Sequence, residues 1–469
     1  MSDTVRFTCP GCGSELETPE GTVSNRCTYC NLVSLLGRPG RIVKQYYRPH
    51  IDAREASVIA ERHLKNAGQP LFSSIDLRAL YYVPLYRFRG LSLTCLSAIK
   101  PAVQTMNADP EIGQRAYELR AKNVDLTVPG ASDTPFGMTS LGIRPQAVAA
   151  YAWQDSELPK EATIWPADRP PDEAQTQAFK TDATHATMVH STKQFEFSDM
   201  VGERQLLIYF PLFVMAGMSA GDHLMVVLDG LSRRVIHTSN EPLPIPTGRI
   251  NNRVTALRPE RHQCPNCGAD FAPSEQSLVY GCQNCDRVYL LEPVGYQQLS
   301  QPLVGEGSGD LYPFWRMSLA FDGQPPFDTV GGFSRILTAD VPLLARRKRH
   351  LPFYVYVPAF AGADAEWQVQ MAERMTRTQP LVEPARGIPV SVTAASLPPA
   401  ESREFASFAW HWLRMSYLNL RGDRFEWKNA RTGNSELVWL PLTDARLQRS
   451  VVRAQTRPKP RRKRNASLF

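Results

Sequence analysis

The chain has 469 residues, of which 43% are hydrophobic and 9% aromatic, and this composition excludes a protein that is disordered overall. The net charge is +7, and seven lysines and arginines lie between positions 453 and 464, so the remaining body is balanced and a globally basic nucleic-acid binder is not indicated. No secretory signal precedes the first cysteines, and the longest apolar stretch, residues 206–218, is shorter than the roughly 20 residues of a membrane span. We therefore expect a cytoplasmic protein.

Eight of the nine cysteines form four Cys-x-x-Cys pairs in two sets, and fourteen residues separate the two pairs of each set. The first set is Cys9, Cys12, Cys27 and Cys30, and the second is Cys264, Cys267, Cys282 and Cys285. Two residues between cysteines allow a tight turn that directs both sulfurs to one point, and four thiolates suit a tetrahedral Zn2+ ion. The spacing therefore predicts two zinc ribbons, over residues 1–38 and 260–292, and two zinc ions per chain.

We predict that both sites are structural. All four ligands of each set are cysteines, which leaves no coordination position for water or substrate. A redox dithiol is the alternative for a Cys-x-x-Cys pair, but such a pair normally occurs alone at the start of a helix, not in two matched sets. Iron in a rubredoxin-like site remains the alternative to zinc.

The two sets also continue alike after their last pair of cysteines. Residues 30–36 read Cys-Asn-Leu-Val-Ser-Leu-Leu, and residues 285–291 read Cys-Asp-Arg-Val-Tyr-Leu-Leu. These segments resemble the rubredoxin-like and general-transcription-factor type of zinc ribbon, and also ribbons of bacterial proteins described as replication-restart-helicase-like. The resemblance implies a ribbon fold for these segments. It implies no activity, because ribbons of this kind serve many functions.

Residues 39–240 are predicted to form a first α+β domain that begins with a helix. Asp52, with Glu55 three residues later, is typical of a helix start, and Gly68 is typical of the end of that helix. A second helix is predicted around residues 110–122.

The rest of the first half is predicted to contain a loop, a hairpin and a linker. The polar, proline-containing residues 156–185 predict a long surface loop. The apolar residues 224–236 predict a hairpin that turns at Asp229 and Gly230. Several prolines and little apolar periodicity indicate a linker over residues 241–259.

Residues 293–450 are predicted to form a second α+β domain, followed by a disordered basic tail over residues 451–469. One helix is predicted around residues 363–377. A largely buried helix is predicted from the helical spacing of four apolar residues, Phe405, Phe408, Trp412 and Met415.

A strand pattern that contains a proline occurs five times in the chain. Aromatic and β-branched residues surround each proline, which favours strands in which the proline lies at an edge, a bulge or a strand start. The five segments are residues 81–88, 207–213, 311–317, 354–360 and 437–442. We interpret them as repeated antiparallel β units, so the predicted fold class is α+β, with each zinc ribbon followed by an antiparallel β-rich domain with a few helices.

No catalytic constellation is present in the sequence. The nine histidines are scattered, and none of the common phosphate-loop, metalloprotease, nucleophile-elbow or dinucleotide patterns occurs. Cys95, the ninth cysteine, is interpreted as a small hydrophobic residue of a strand. We name no catalytic or cofactor-binding residue and predict that the protein is not an enzyme, although an enzyme with an unrecognised site remains a third hypothesis.

The leading functional hypothesis is a zinc-ribbon scaffold or adaptor that binds protein partners in a larger assembly. The alternative is a nucleic-acid-associated protein of replication or transcription, in which the ribbons and the basic tail contact phosphates. The tail could bind nucleic acid, an anionic membrane surface or an acidic protein, and its composition does not distinguish them. An inert, solubilising tail is the fourth possibility. No small-molecule substrate is indicated.

Overall fold

The computed structural model describes residues 4–99, 115–133, 135–138, 148–188, 194–242, 254–321, 329–334, 348–360, 365–385, 387–389, 391, 393–417 and 430–442. The chain divides into two compact units, residues 2–299 and residues 300–469. Both units are mixtures of helices and mainly antiparallel sheet, which confirms the α+β class.

The first unit contains seventeen strands and two α-helices among its described residues. The helices are α1 (Ala53–Asn66) and α2 (Pro171–Met188). The strands are β1 (Thr4–Thr8), β2 (Glu15–Pro19), β3 (Ser24–Arg26), β4 (Val33–Leu35), β5 (Ile42–Tyr46), β6 (Ser74–Ile99), β7 (Arg115–Pro129), β8 (Ala150–Ala152), β9 (Thr163–Ile164), β10 (Gln194–Ser219), β11 (Asp222–Asp229), β12 (Val235–Ser239), β13 (Val254–Ala256), β14 (Glu260–Arg261), β15 (Val279–Gly281), β16 (Val288–Leu291) and β17 (Tyr296–Gln298).

The central sheet of this unit is built around the long antiparallel pair β6 and β10. Strand β7 pairs with β6 on the outside, while β5 and β11 pair with the other edge of β10. Beyond β5 the sheet continues through β8 and β1 to β2, so the first ribbon strand extends the sheet. The predicted hairpin over residues 224–236 is confirmed as the antiparallel pair β11 and β12.

Both faces of β10 are buried, which explains its nearly continuous apolar sequence. Ile208, Phe210 and Leu212 belong to one apolar core, while Leu207 and Tyr209 belong to a second core on the opposite face. Successive strand residues point to opposite faces, so a run without polar residues supplies both cores.

Helix α1 confirms the helix predicted from the capping pattern. The Asp52 carboxylate accepts hydrogen bonds from the backbone N–H groups of Arg54 and Glu55, and the Glu55 side chain accepts from the Asp52 N–H. Gly68 follows the helix with a φ of 65°, a conformation that glycine adopts without a steric penalty. Ala56, Ala60 and Leu64 form the buried stripe of the helix.

The second unit has six strands and three helices among its described residues. The helices are α3 (Val330–Ser334), α4 (Ala365–Thr378) and α5 (Pro399–Tyr417), and the strands are β18 (Leu303–Gly305), β19 (Asp310–Phe321), β20 (Tyr354–Pro358), β21 (Val382–Pro384), β22 (Ala430–Thr432) and β23 (Glu436–Leu442). The sheet order is β20-β19-β23-β18-β21, with β22 paired to β19. Helix α4 confirms the helix predicted around residues 363–377.

Helix α5 confirms the predicted C-terminal helix. Phe405, Phe408, Trp410 and Leu413 are buried. The side chains of Trp412 and Met415 lie outside the described residues.

All five proline-marked segments lie in strands with antiparallel partners, as predicted. In the first unit, Pro84 of β6 lies opposite Tyr209 of β10, and Pro211 of β10 lies opposite Tyr82 of β6. In the second unit, Pro313 of β19 lies opposite Trp439 of β23, and Pro441 of β23 lies opposite Leu311 of β19. Each proline therefore faces the residue two positions before the proline of its partner strand.

The same correspondence extends to the neighbouring strands of both units. Strand β7 meets β6 with Pro129 opposite Leu85, and β20 meets β19 with Pro358 opposite Phe314. The backbone N–H of Gly130, which follows Pro129, donates to Pro84 O at 2.9 Å. The backbone N–H of Ala359, which follows Pro358, donates to Pro313 O at the same distance. On the other side of the first unit's sheet, β5 pairs in parallel with β10, and β8 pairs antiparallel with β5. In the second unit, β18 pairs in parallel with β23, and β21 pairs antiparallel with β18.

Helices α2 and α5 are also attached to their sheets alike, each beginning at the second residue of a Pro-Pro pair. The backbone N–H of Arg169 donates to Gly130 O at 3.1 Å, and that of Leu397 donates to Ala359 O at 2.9 Å. The Tyr86 hydroxyl donates to Arg169 O, and Trp315 Nε1 donates to Leu397 O.

The helix predicted around residues 110–122 is wrong over its described part. Residues 110–114 lie outside the described residues, and the following ones form β7, paired with β6 from Arg115 onward. Val124 and Val128 are both buried and lie four positions apart, so they face the same side of the strand. Hydrogen bonding to β6 therefore overrides the good helix propensity of Ala116, Glu118 and Ala121.

The surface loop predicted over residues 156–185 is also wrong, because α2 occupies its second half. Pro171 at the first helical position and Asp172 and Glu173 in the first turn are helix-start signals. The buried stripe consists of Ala174 and Ala178, which are too small to produce an obvious apolar periodicity. The polar composition of the segment concealed the helix.

Part of the linker predicted over residues 241–259 is strand. Val254–Ala256 form β13, which pairs in parallel with β5. Residues 243–253 lie outside the described residues. The compact unit that ends at residue 299 contains both ribbon segments.

Across the described residues, no helix combines the length and the apolar character needed to span a bilayer.

Candidate metal centres

Each Cys-x-x-Cys pair lies in a tight turn that is stabilised by its own backbone. In the first pair, Gly13 N donates to Cys9 O at 3.0 Å, and Cys9 N donates to Ser14 O at 2.9 Å. Gly268 N and Cys264 N make the equivalent bonds, at 2.9 and 2.8 Å. Gly13 and Gly268, which follow the second cysteine of their pairs, have φ angles of 76° and 73°, a conformation that glycine adopts without a steric penalty.

The second pair of each set forms the same turn without glycine. Asn31 N donates to Cys27 O and Asp286 N donates to Cys282 O, and the φ angles of Asn31 and Asp286 are 61° and 56°. Asparagine and aspartate adopt this conformation more readily than other side chains do. These two residues were not predicted from the sequence, although each follows its cysteine pair as Gly13 and Gly268 do.

The turns bring the four sulfurs of each set together, all within 4.8 Å of one another. In the first set, the Sγ atoms of Cys9 and Cys30 are 3.7 Å apart, as are those of Cys12 and Cys27. In the second, Cys264 and Cys285 are 3.7 Å apart, and Cys267 and Cys282 are 3.4 Å apart. A tetrahedron with metal–sulfur bonds of about 2.3 Å has edges of about 3.8 Å. Each set could therefore hold one metal ion.

The protonation of the thiols is uneven within each set. A hydrogen bond with the Ser14 hydroxyl lowers the pKa of Cys12 to about 6, and a hydrogen bond with the Asn284 side chain lowers the pKa of Cys267 to about 6. Burial raises the pKa of Cys282 to about 11. The Leu32 backbone favours the Cys30 thiolate, but burial and the neighbouring sulfurs outweigh it and raise the pKa of Cys30 to about 12. Because thiolates are the form that binds a metal ion, metal binding to either set releases the protons of the thiols whose pKa is raised.

Apolar and aromatic side chains enclose the two sets differently. Phe7, Leu16 and Leu36 pack around Cys9 and Cys27 in the first set. In the second ribbon, the position of Phe7 is taken by His262, which is fully buried and contacts Phe271, Tyr280 and Tyr296. Its Nδ1 lies 2.5 Å from the Tyr296 hydroxyl, and burial lowers the pKa of His262 to about 4. This imidazole is therefore neutral at pH 7.

The two ribbons contact each other directly. Strand β14, which leads into the second set, pairs antiparallel with β4, which follows the first set. The backbone N–H groups of Val23 and Ser24 donate to Glu275 O and Ser274 O, and the Ser24 hydroxyl donates to Ser274 O as well. His262 N donates to Val33 O at 3.1 Å. Ribbons that lie more than 200 positions apart in sequence thus share a sheet, a contact that no local pattern predicts.

No third cluster of cysteine, histidine or acidic residues with metal-ligand spacing occurs in the described part of the chain. Cys95 belongs to β6, and its side chain lies outside the described residues. Comparison with family models, with curated proteins and with solved structures finds no match for this chain. The two four-cysteine sets and their surroundings are therefore the features of this chain that point to a function.

Proposed function

We propose that the protein is a non-enzymatic scaffold, or adaptor, whose two ribbons each hold one structural zinc ion. The observation that carries this proposal is the closed arrangement of four sulfurs in each set, at the spacing of a tetrahedral thiolate site. A metal with four protein ligands has no position for substrate, and its binding energy goes into folding. Such a site gives a small module the rigidity that a docking surface needs.

We further propose that the two halves arose by internal duplication. The support is the shared order of five strands and one helix, with the same proline register and equivalent hydrogen bonds at Gly130 and Ala359. The hydrogen bonds and φ angles of the Cys-x-x-Cys turns also correspond between the two ribbons. In this proposal the chain presents two related modules to its partners.

Metal analysis tests the zinc assignment. We expect two zinc ions per chain in protein purified without added metal, because four thiolates at this separation favour zinc over harder cations. Elemental mass spectrometry, with a parallel count of reduced thiols, measures this ratio. Iron in place of zinc would overturn the metal identity. Fewer than two metal ions per chain, with all eight thiols reduced, would overturn the paired-ribbon proposal.

Binding to a partner tests the adaptor role. Tyr29, in the second cysteine turn of the first ribbon, and Val294, directly after the second ribbon, are the most exposed large apolar residues in the described part of the chain, at 70% and 93%. We choose these two side chains for the test because burial of exposed apolar surface stabilises a protein–protein contact. We expect the double variant Tyr29→Ser, Val294→Ser to retain both metals and wild-type thermal stability, but to lose a partner that co-purifies stoichiometrically with the wild type.

The matched control is Val58→Ser, which removes an exposed apolar side chain from α1, outside the ribbons. It should co-purify with the same partner as the wild type. Equal partner recovery with all three proteins would argue against docking through the ribbons. A wild-type chain that co-purifies with no partner from its native host would argue against an adaptor.

The basic tail is proposed to add affinity for a polyanion without contributing to the fold. Deletion of residues 453–469 should leave the melting temperature nearly unchanged, because this segment has few apolar residues to bury. It should weaken binding to nucleic acid or to anionic vesicles, and this difference should shrink as salt rises, since exposed charges are screened beyond about 8–10 Å. Unchanged binding to both at low salt would identify an inert tail.

A further inference from the structure

A cleft of about 530 Å3 lies in the first unit, where the end of the first ribbon, β5, β13 and the approach to the second ribbon meet. Four cationic residues line it: Arg38, Arg41, Lys44 and Arg258. Arg38 follows the first ribbon, and Arg258 precedes β14 of the second. The cleft therefore brings together charges from segments that are distant in sequence.

Two acidic residues, Asp155 and Glu260, also line the cleft. The Asp155 carboxylate accepts a hydrogen bond from Trp153 Nε1 at 2.8 Å, and Glu260 forms an ion pair with Arg38 at 2.6 Å. The other Arg38 nitrogen, Nη1, is buried and has no hydrogen-bond partner among the described atoms. A buried guanidinium nitrogen without an acceptor is energetically unfavourable, and the Arg38 guanidinium also lies 6.0 Å from the centre of the Tyr296 ring.

The remaining three cations have no ion-pair partner in the described part of the chain. Arg41 and Arg258 are exposed, whereas Lys44 is half-buried, with its ammonium 5.8 Å from the centre of the Trp153 ring. Val43, Ala256 and Leu257 supply partly apolar walls to the same cleft. Four cationic and two acidic side chains line the cleft, so its net charge is positive. A concave surface with low-dielectric walls focuses such a field and attracts anions.

We propose that this cleft binds a phosphate-bearing ligand, contacted by Arg38, Arg41, Lys44 and Arg258. The cleft has the volume of a small-molecule site, since such sites measure roughly 300–1,000 Å3. Guanidinium groups bind phosphate oxygens in pairs, with charge-assisted hydrogen bonds. Several uncompensated cations around one space suit a phosphate, which carries more charge than a single carboxylate. This site is independent of the adaptor role proposed above.

The phosphate group can belong to a free small molecule or to a nucleic-acid strand, and two probes distinguish them. Pyrophosphate binding is measured by titration calorimetry, and binding of a fluorescein-labelled oligothymidylate by anisotropy, both with the full chain at low salt. The test variant is Arg41→Gln, Lys44→Gln, Arg258→Gln. We expect it to weaken binding of at least one probe by about tenfold or more, because three charge-assisted contacts are lost.

The matched control is Arg54→Gln, Arg62→Gln, Lys65→Gln, which removes the same charge from exposed positions of α1. It should bind both probes as the wild type does, and the basic tail is intact in every protein compared. If the triple cleft variant does not fold, the single variants Arg41→Gln and Arg258→Gln replace it, since both side chains are exposed. Absence of binding of either probe to the wild type, or equal weakening in the cleft and control variants, would overturn the proposal.

Discussion

Replacing Cys267 by serine is expected to lower the bound metal from two ions per chain to one. The cause is the loss of one of four sulfurs that converge within 4.8 Å. Metal binding to a structural site is folding free energy, about 10–16 kcal/mol in zinc-finger peptides, so we expect the variant to lose about 4 kcal/mol or more of stability. Sequence order alone would place this loss in the second half of the chain, where Cys267 lies.

The structure relocates the expected loss to residues 2–299, because the second ribbon shares β14 with the sheet of the first. Elemental analysis and calorimetry with hydrogen exchange measure the effect, and protection should fall at Val23, Ser24 and His262, whose backbone N–H groups donate across the contact between the ribbons. The control is Asn266→Ser, an exposed change within the same turn that keeps all four sulfurs. Two metal ions and an unchanged melting temperature in Cys267→Ser would show that this cysteine is not a ligand.

Replacing Arg87 by alanine is expected to destabilise the first unit by about 3 kcal/mol. Arg87 lies on β6 and is fully buried. Its guanidinium donates to Glu20 at 2.8 Å and to Asp125 at 2.7 and 2.5 Å. Glu20 is itself buried and belongs to the first ribbon segment. Truncating Arg87 removes one cationic partner from this buried carboxylate, which keeps its contact with Arg89 at 2.9 Å. Breaking a buried pair from one side costs about 3–5 kcal/mol.

The control for this prediction is Arg78→Ala on the same strand, where the side chain is exposed. Its effect should stay within about 0.5 kcal/mol, as for most surface substitutions. Urea denaturation of both variants measures the difference. If Arg87→Ala and Arg78→Ala are equally stable, the ion pairs of Arg87 do not hold the first ribbon on the sheet.

Local chemistry explains which elements were predictable from sequence. The Cys-x-x-Cys turns require only neighbouring residues, so the two sets and the glycines after them were predictable. Helix α1 was predictable because Asp52 and Glu55 satisfy backbone groups three residues away. Strand β10 was predictable because a run of large apolar residues must bury both faces.

Prediction from the sequence failed where local preference and long-range pairing conflict. Strand β7 has residues suited to a helix, but its hydrogen bonds go to β6. Helix α2 has a weak apolar stripe, and it is held by contacts of its N-terminal end with β6 and β7. In both cases the deciding partners lie tens of residues away, beyond the reach of a periodicity argument.

The sequence by itself determined that eight cysteines form two four-sulfur sets and that proline-marked strands pair antiparallel, because spacing and side-chain type suffice for both. Only the tertiary structure decided that β14 pairs with β4 and that Arg38, Lys44 and Arg258 line one cleft. An edge strand can pair with any compatible edge, and its choice depends on the packing of residues such as His262 against the rest of the unit. Contacts of that kind are set by the whole fold, not by neighbours in the chain.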